Sequence, residues 1–262
     1  MSKCITEIII LKISLIHYVA YASINDVFAH IFRSHNTSYM KEIIITDYLD
    51  SEHISLLIEE IPTKILFFLN NNIQRSRVFI EEKIAKIIIA GQDKIDEAVI
   101  MHELLHIKAR FAGYYNIGFL KEISDNIKMR IGNVHSTYEH INFVYPEMLK
   151  YGLNPYNENQ TKLLIEVFKS KSIDEMTLSN FFFELISCSY FETEKKEHRS
   201  FIVSLINKFP PDFSELLAFF IVKLNESLLC TSIKDKNEKL KEMILFIEKI
   251  FNISDCINLY TF

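Results

Sequence analysis

Short β-branched runs punctuate the first third of the chain, and apolar stretches at helical spacing fill the rest. Glu42-Ile43-Ile44-Ile45-Thr46 and the run from Ala85 to Ala90 have strand length and strand composition. Arg77 to Glu81 is a third such run, near enough to the second to pair with it through a short turn. Between the first two, His53 to Leu69 reads as a helix broken or kinked at Pro62. Gly91-Gln92-Asp93 then closes a strand and opens the clearest helix of the chain. Asp93 is its predicted N-cap, Asp96 and Glu97 put acid in the first turn, and Gly113 supplies the stop after Ala112. Apolar residues lie on nearly every side of this helix (Ile95, Val99, Ile100, Leu104, Leu105, Ile107, Phe111), which predicts burial at the centre of its domain.

From about Thr161 the pattern predicts helices only: Leu163 to Phe168, Leu178 to Tyr190, Ser200 to Phe209, Phe213 to Leu229 and Asn237 to Phe251. Pro210-Pro211-Asp212 is a clear break, with Asp212 or Ser214 available as the next cap. Gly and Pro punctuate Tyr151 to Pro155, the natural place for a boundary. The expected organisation is a motif-bearing domain over 1–152 and a helical domain or extension over 153–262. The expected fold class is α+β, mostly helical, with a small sheet beside the central helix and an all-helical C-terminal half.

Composition narrows the function classes. With 49% hydrophobic and 24% charged residues, five Gly and five Pro, the chain of 262 residues is neither disordered nor collagen-like. A net charge of −5 gives no reason to seek a polyanion, and the basic stretch Lys195 to Arg199 reads as a solvated face, so nucleic acid is not expected as a partner. Cys4, Cys188, Cys230 and Cys256 show neither zinc-finger nor disulfide-framework spacing, which predicts reduced thiols and a cytoplasmic protein. Ile5 to Ala22 is apolar and carries Ala20-Tyr21-Ala22, a signal-peptidase-like triplet, but Glu7, Lys12 and His17 interrupt it. A buried first helix or strand is expected there, and no membrane partner.

The central helix carries His102-Glu103-Leu104-Leu105-His106, the H-E-x-x-H pattern. Positions i and i+4 share a helix face about 5–6 Å apart, so two imidazoles can converge on one ion. Zinc accepts neutral imidazole nitrogen, and Glu103 beside the first ligand is placed to act on a water at an open position. His and Glu on a helix that is apolar nearly all round would be costly without partners. A catalytic zinc needs a third protein ligand, and the richest source is Asn133 to His140, which holds His135, Glu139 and His140. With Asn133 capping a helix that ends before Pro146, His135 and Glu139 share one face, Asn142 extends it, and Tyr138, Ile141 and Tyr145 pack inward. His17, His30, His35 and His53 lack ligand spacing, and Tyr114 and Tyr115, which could donate to an oxyanion, read as core.

Over roughly Ile87 to Gly152 the chain resembles the H-E-x-x-H zincin superfamily, in particular gluzincin-type metallopeptidases and, in outline, bacterial proteins of the ImmA/IrrE type. The resemblance implies that His102 and His106 bind Zn2+, Glu103 is the general base and Glu139 is the third ligand. The gluzincin E-x-x-x-D/N form is not met, since Phe143 stands four after Glu139, and this leaves Glu139 and His140 competing for the third position. The metzincin extension is absent, with Ala109 and Ala112 at its Gly and His positions. Glu139 is the preferred ligand and His140 the preferred donor to a substrate carbonyl oxygen. The expected activity is a zinc-dependent metallopeptidase acting on a protein or peptide. The alternative is a non-catalytic interaction module on a zincin-like scaffold with a structural metal.

Overall fold

The computed structural model describes residues 40–261 apart from 74–75, 82–83, 92–94, 157, 159–160, 163–164, 167–168, 170–188 and 209–210. The apolar N-terminal run, Cys4, Cys188, His17, His30, His35 and Asp93 lie outside the described residues, as do most of the helices expected over 163–168 and 178–190. The fold class is α+β, as expected.

Four strands form a mixed sheet: β1 (Met40–Ile43), β2 (Lys64–Asn70), β3 (Arg77–Glu81) and β4 (Ile84–Ala90), in the spatial order β1-β2-β4-β3. β3 and β4 pair antiparallel with Val78 opposite Ile87, as the closeness of the two runs predicts. β2 corrects the sequence reading, which takes this stretch as helix. Helix α1 (Glu52–Glu60) is capped by Ser51, whose hydroxyl accepts from the Ile54 N–H, and it stops before Pro62. The run Ile65-Leu66-Phe67-Phe68-Leu69 then pairs antiparallel with β1 and parallel with β4. A continuous apolar run has no period to separate strand from helix, and here pairing on both sides decides it. The first strand is also shifted: it ends at Ile43, and Ile45–Asp47 forms a tight helical turn that buries Ile45.

Ala85, Ile87 and Ile89 of β4 are fully buried on the face that meets α1 and helix α2 (Glu97–Phe111). Asp96 is the cap of α2, its Oδ1 accepting from the Val99 N–H at 3.0 Å. Ile100, Met101, Leu104, Leu105, Ile107 and Ala109 are all at 0% exposure, so α2 is the central helix that its all-round apolar pattern predicts. Ser51 meets Glu97 at one end and Glu60 meets Lys108 at the other, so α1 runs parallel to α2. After α2, Gly113 at φ 96 provides the left-handed stop, with the Tyr114 N–H bonded back to the Ala109 carbonyl.

Strand β5 (Asn116–Phe119) leads to α3 (Asp125–Glu139), which continues through a wide turn, His140–Val144, into α4 (Tyr145–Lys150). The helix therefore starts at Ser124 and not at Asn133, which is buried in mid-helix, and it passes through Pro146 instead of ending before it. Helices α5 (Lys196–Ile206), α6 (Pro211–Leu229) and α7 (Ile233–Phe251) follow, and β6 (Ile257–Tyr260) closes the chain by pairing antiparallel with β5. The C-terminal half is thus not helical throughout.

Ile131, Val134 and Tyr138 of α3 share one core with Phe220 and Leu224 of α6 and Leu240, Met243 and Ile247 of α7. Each such side chain contributes roughly 1.5–3 kcal/mol on burial, so the two halves drawn at Gly152 hold each other together. Among the described residues no helix is long and apolar enough to cross a membrane.

Candidate metal centre

Two elements bring the site together. α2 presents His102 and His106 one turn apart, and the join between α3 and the wide turn presents Glu139 and His140. The Nε2 atoms of His102 and His106 lie 3.1 Å apart, and those of His106 and His140 lie 3.2 Å apart. Candidate ligand atoms of all three rings fall within 4.8 Å of one another, forming a group able to bind a metal ion. Two nitrogens each about 2.0–2.1 Å from a tetrahedral ion lie roughly 3.3–3.4 Å apart, so the observed separations fit a shared ion closely. Two neutral rings facing each other at this distance without one would oppose lone pair to lone pair or rely on a single shared proton.

Glu139 takes a different place from the one expected. Its Oε2 lies 2.8 Å from Nδ1 of His106, on the side of the ring away from Nε2. An ionised carboxylate there accepts from Nδ1–H, fixes that tautomer and leaves the Nε2 lone pair facing His102 and His140. The neighbours Glu139 and His140 thus address the two nitrogens of one imidazole. The expected arrangement puts Glu139 with His102 and His106 and His140 beside them; in this geometry His140 stands with the two motif rings and Glu139 meets the far nitrogen of His106. Arg110, one turn after His106, has its Nε 4.0 Å from Glu139 Oε1.

Charge follows from burial and these contacts. His102 is lowered to about 3, by burial first and then by His106. His140 is held well below the usual histidine range by burial and by the neighbouring imidazoles of His102, His106 and His135. Both rings are therefore neutral near pH 7, the form that ligates a metal. Burial pushes Glu139 up, but the charge and hydrogen bond of His106, with Arg110 and His135, bring it down to about 2. Burial lowers His106, and Glu139 and Glu103 together outweigh it and raise this ring. Glu103 is half-buried on α2, close enough to His106 for its charge to act there.

His135, the remaining candidate ligand, is buried and donates from Nε2 to the Tyr115 carbonyl at 2.7 Å, apart from the three-ring group. His53 pairs with Glu97 at 3.2 Å. Three residues meet at the wide turn beside the site, Tyr114, Asn142 and Ser227; the sequence reading places Tyr114 in the core and Asn142 on the ligand face, and does not single out Ser227. Pro146 was the available signal: a proline inside a helix withdraws a donor from the turn before it. No family model, curated protein or solved structure matches this chain.

Proposed function

We propose that the chain is a zinc-dependent hydrolase of the H-E-x-x-H type that cleaves a peptide bond in a protein or peptide substrate. His102, His106 and His140 hold the ion, Glu103 is the general base, and Glu139 orients His106. The observation that carries this reading is the convergence of three imidazoles and no more: among the described residues the group contains three ligands. Structural zinc sites are closed by four protein ligands, whereas catalytic sites have three and an open position. Glu139 is engaged at His106 Nδ1, on the side of the ring away from the group, and does not close the sphere.

When bound, zinc supplies a Lewis acid and makes a water acidic near neutral pH. Glu103 takes the proton of the attacking water on its carboxylate and returns it to the leaving amine. Glu139 holds His106 in one tautomer and orientation throughout, and the charge and hydrogen bond of His106, with the buried Arg110, keep Glu139 charged. The resemblance of the motif to zincins supports a peptide bond as the target, and reduced thiols support a cytoplasmic setting.

Glu103→Gln tests the mechanism. The amide keeps the shape but accepts no proton, so zinc content is expected to hold while cleavage of a mixed peptide library falls by about 10²–10⁴-fold. Equal cleavage by the variant contradicts the assignment of Glu103. A zinc-loaded wild-type chain that cleaves nothing in the library favours the non-catalytic interaction module.

A further inference from the structure

The third imidazole comes from an irregular place. α3 ends at Glu139, and the turn His140–Val144 is closed by a bond from the Tyr145 N–H to the His140 carbonyl, five residues back. In an α-helix each residue advances about 100°, so side chains five apart point about 140° away from each other. The wide turn brings them to one face instead. The Tyr145 ring lies flat on His140, with centroids 4.9 Å apart and planes within 16°. A regular α-turn would separate these rings and swing His140 off its present line.

Two features disfavour the regular turn. Pro146 has no N–H, so the Asn142 carbonyl, which residue 146 serves in an α-helix, loses that donor. The Tyr114 hydroxyl takes its place, donating to the Asn142 carbonyl at 3.1 Å. The Asn142 side chain then donates to the Tyr138 carbonyl at 2.9 Å and to Ser227 Oγ at 2.8 Å. Ser227 is wholly buried on α6 and passes its own proton to the Leu224 carbonyl at 2.7 Å. The turn is clamped from the α2 side by Tyr114 and from the C-terminal helices by Ser227.

We infer that Pro146 selects the wide turn and that Tyr114 and Ser227 lock it, so that His140 is aimed at His102 and His106. These three are positioning residues of the metal centre, and the inference rests on the three-imidazole reading above. It assigns the C-terminal half a part in building the site, through a hydroxyl on α6.

Cobalt and zinc binding by the full chain test this. The visible spectrum of bound Co2+ reads ligand geometry, competition with a chromophoric chelator reads zinc affinity, and thermal unfolding of the metal-free chain reads stability. Pro146→Ala removes a proline from a helix and restores an N–H at residue 146. It is expected to be at least as stable as wild type, yet to bind zinc at least about 10-fold more weakly with an altered cobalt spectrum. Tyr114→Phe and Ser227→Ala are expected to weaken zinc by about 10–100-fold and to alter the same spectrum. A purely structural role would move stability in these variants and leave the spectrum unchanged. Pro146→Ala with wild-type zinc affinity and a wild-type cobalt spectrum overturns the inference and leaves the three-imidazole centre standing. A wild-type chain that binds neither ion overturns both.

Discussion

Asn237 is the polar hinge on which the two halves meet. It lies 5% exposed near the start of α7, and its side chain makes three hydrogen bonds. Its Oδ1 accepts from the Tyr138 hydroxyl at 2.7 Å and the Tyr115 N–H at 3.2 Å, and its Nδ2 donates to the Gly113 carbonyl at 2.9 Å. Gly113 and Tyr115 follow the helix that bears His102 and His106, and Tyr138 immediately precedes Glu139 and His140. Asn237→Ala leaves these groups without their partner. Tyr138 is at 0% exposure, so its orphaned hydroxyl bears the full desolvation cost of about 1–3 kcal/mol. Gly113 and Tyr115 are half-buried residues, so each of their backbone groups is expected to lose only the net value of a bond, about 0.5–1.5 kcal/mol. The expected total is about 2–6 kcal/mol, a large share of the roughly 5–15 kcal/mol that holds a typical domain folded. Equilibrium unfolding in urea, followed by circular dichroism, measures it, with an unchanged denaturant slope as the check on a two-state comparison. Repeating the substitution in a Tyr138→Phe background removes the orphaned hydroxyl, and the cost should then shrink by about 1–3 kcal/mol. A loss below about 0.5 kcal/mol, or equal losses in both backgrounds, refutes the reasoning.

Glu139→Ala should weaken zinc binding by about 10–100-fold, because His106 loses the carboxylate that fixes its tautomer, whereas His140→Ala should remove the metal altogether. Chelator competition on both variants separates an orienting residue from a ligand, and the reverse ranking contradicts the assignment. Glu158 gives a prediction in pH. Burial raises its carboxyl, but bonds from the Glu194 N–H and the Thr193 hydroxyl, with Lys195 and His198, hold it below its ordinary value. A depressed carboxyl stabilises fully above its unfolded pKa of about 4.3 and loses that contribution as pH falls through the folded value. The stability gap between wild type and Glu158→Gln should therefore be flat from about pH 5 to 7 and close below about pH 4. A gap independent of pH through the acid range contradicts it.

Local chemistry made part of this structure readable from residues alone. The β3–β4 hairpin and the buried α2 with its Gly113 stop follow from composition, period and capping, because neighbours in sequence decide them. β2 and β6 were not readable, since each is a strand by virtue of a distant partner: β2 through β4 and β6 through β5, more than a hundred residues away. His102, Glu103 and His106 announce themselves by spacing. The cluster at Asn133 to His140 is equally visible, but which member faces His102 and His106 depends on how the chain packs against that helix. The wide turn after Glu139 sets the path of the chain there, and Tyr114 and Ser227 meet that turn at Asn142. Pro146 is the single mark those contacts leave in the sequence.

The most direct test is the metal content of the full chain purified without chelator, set beside that of His140→Ala. About one equivalent of zinc per wild-type chain and near none in the variant is the expected result, as a three-imidazole centre requires. A wild-type chain that is free of metal and takes up neither added zinc nor cobalt contradicts the centre, and full zinc retention in His140→Ala contradicts the ligand set.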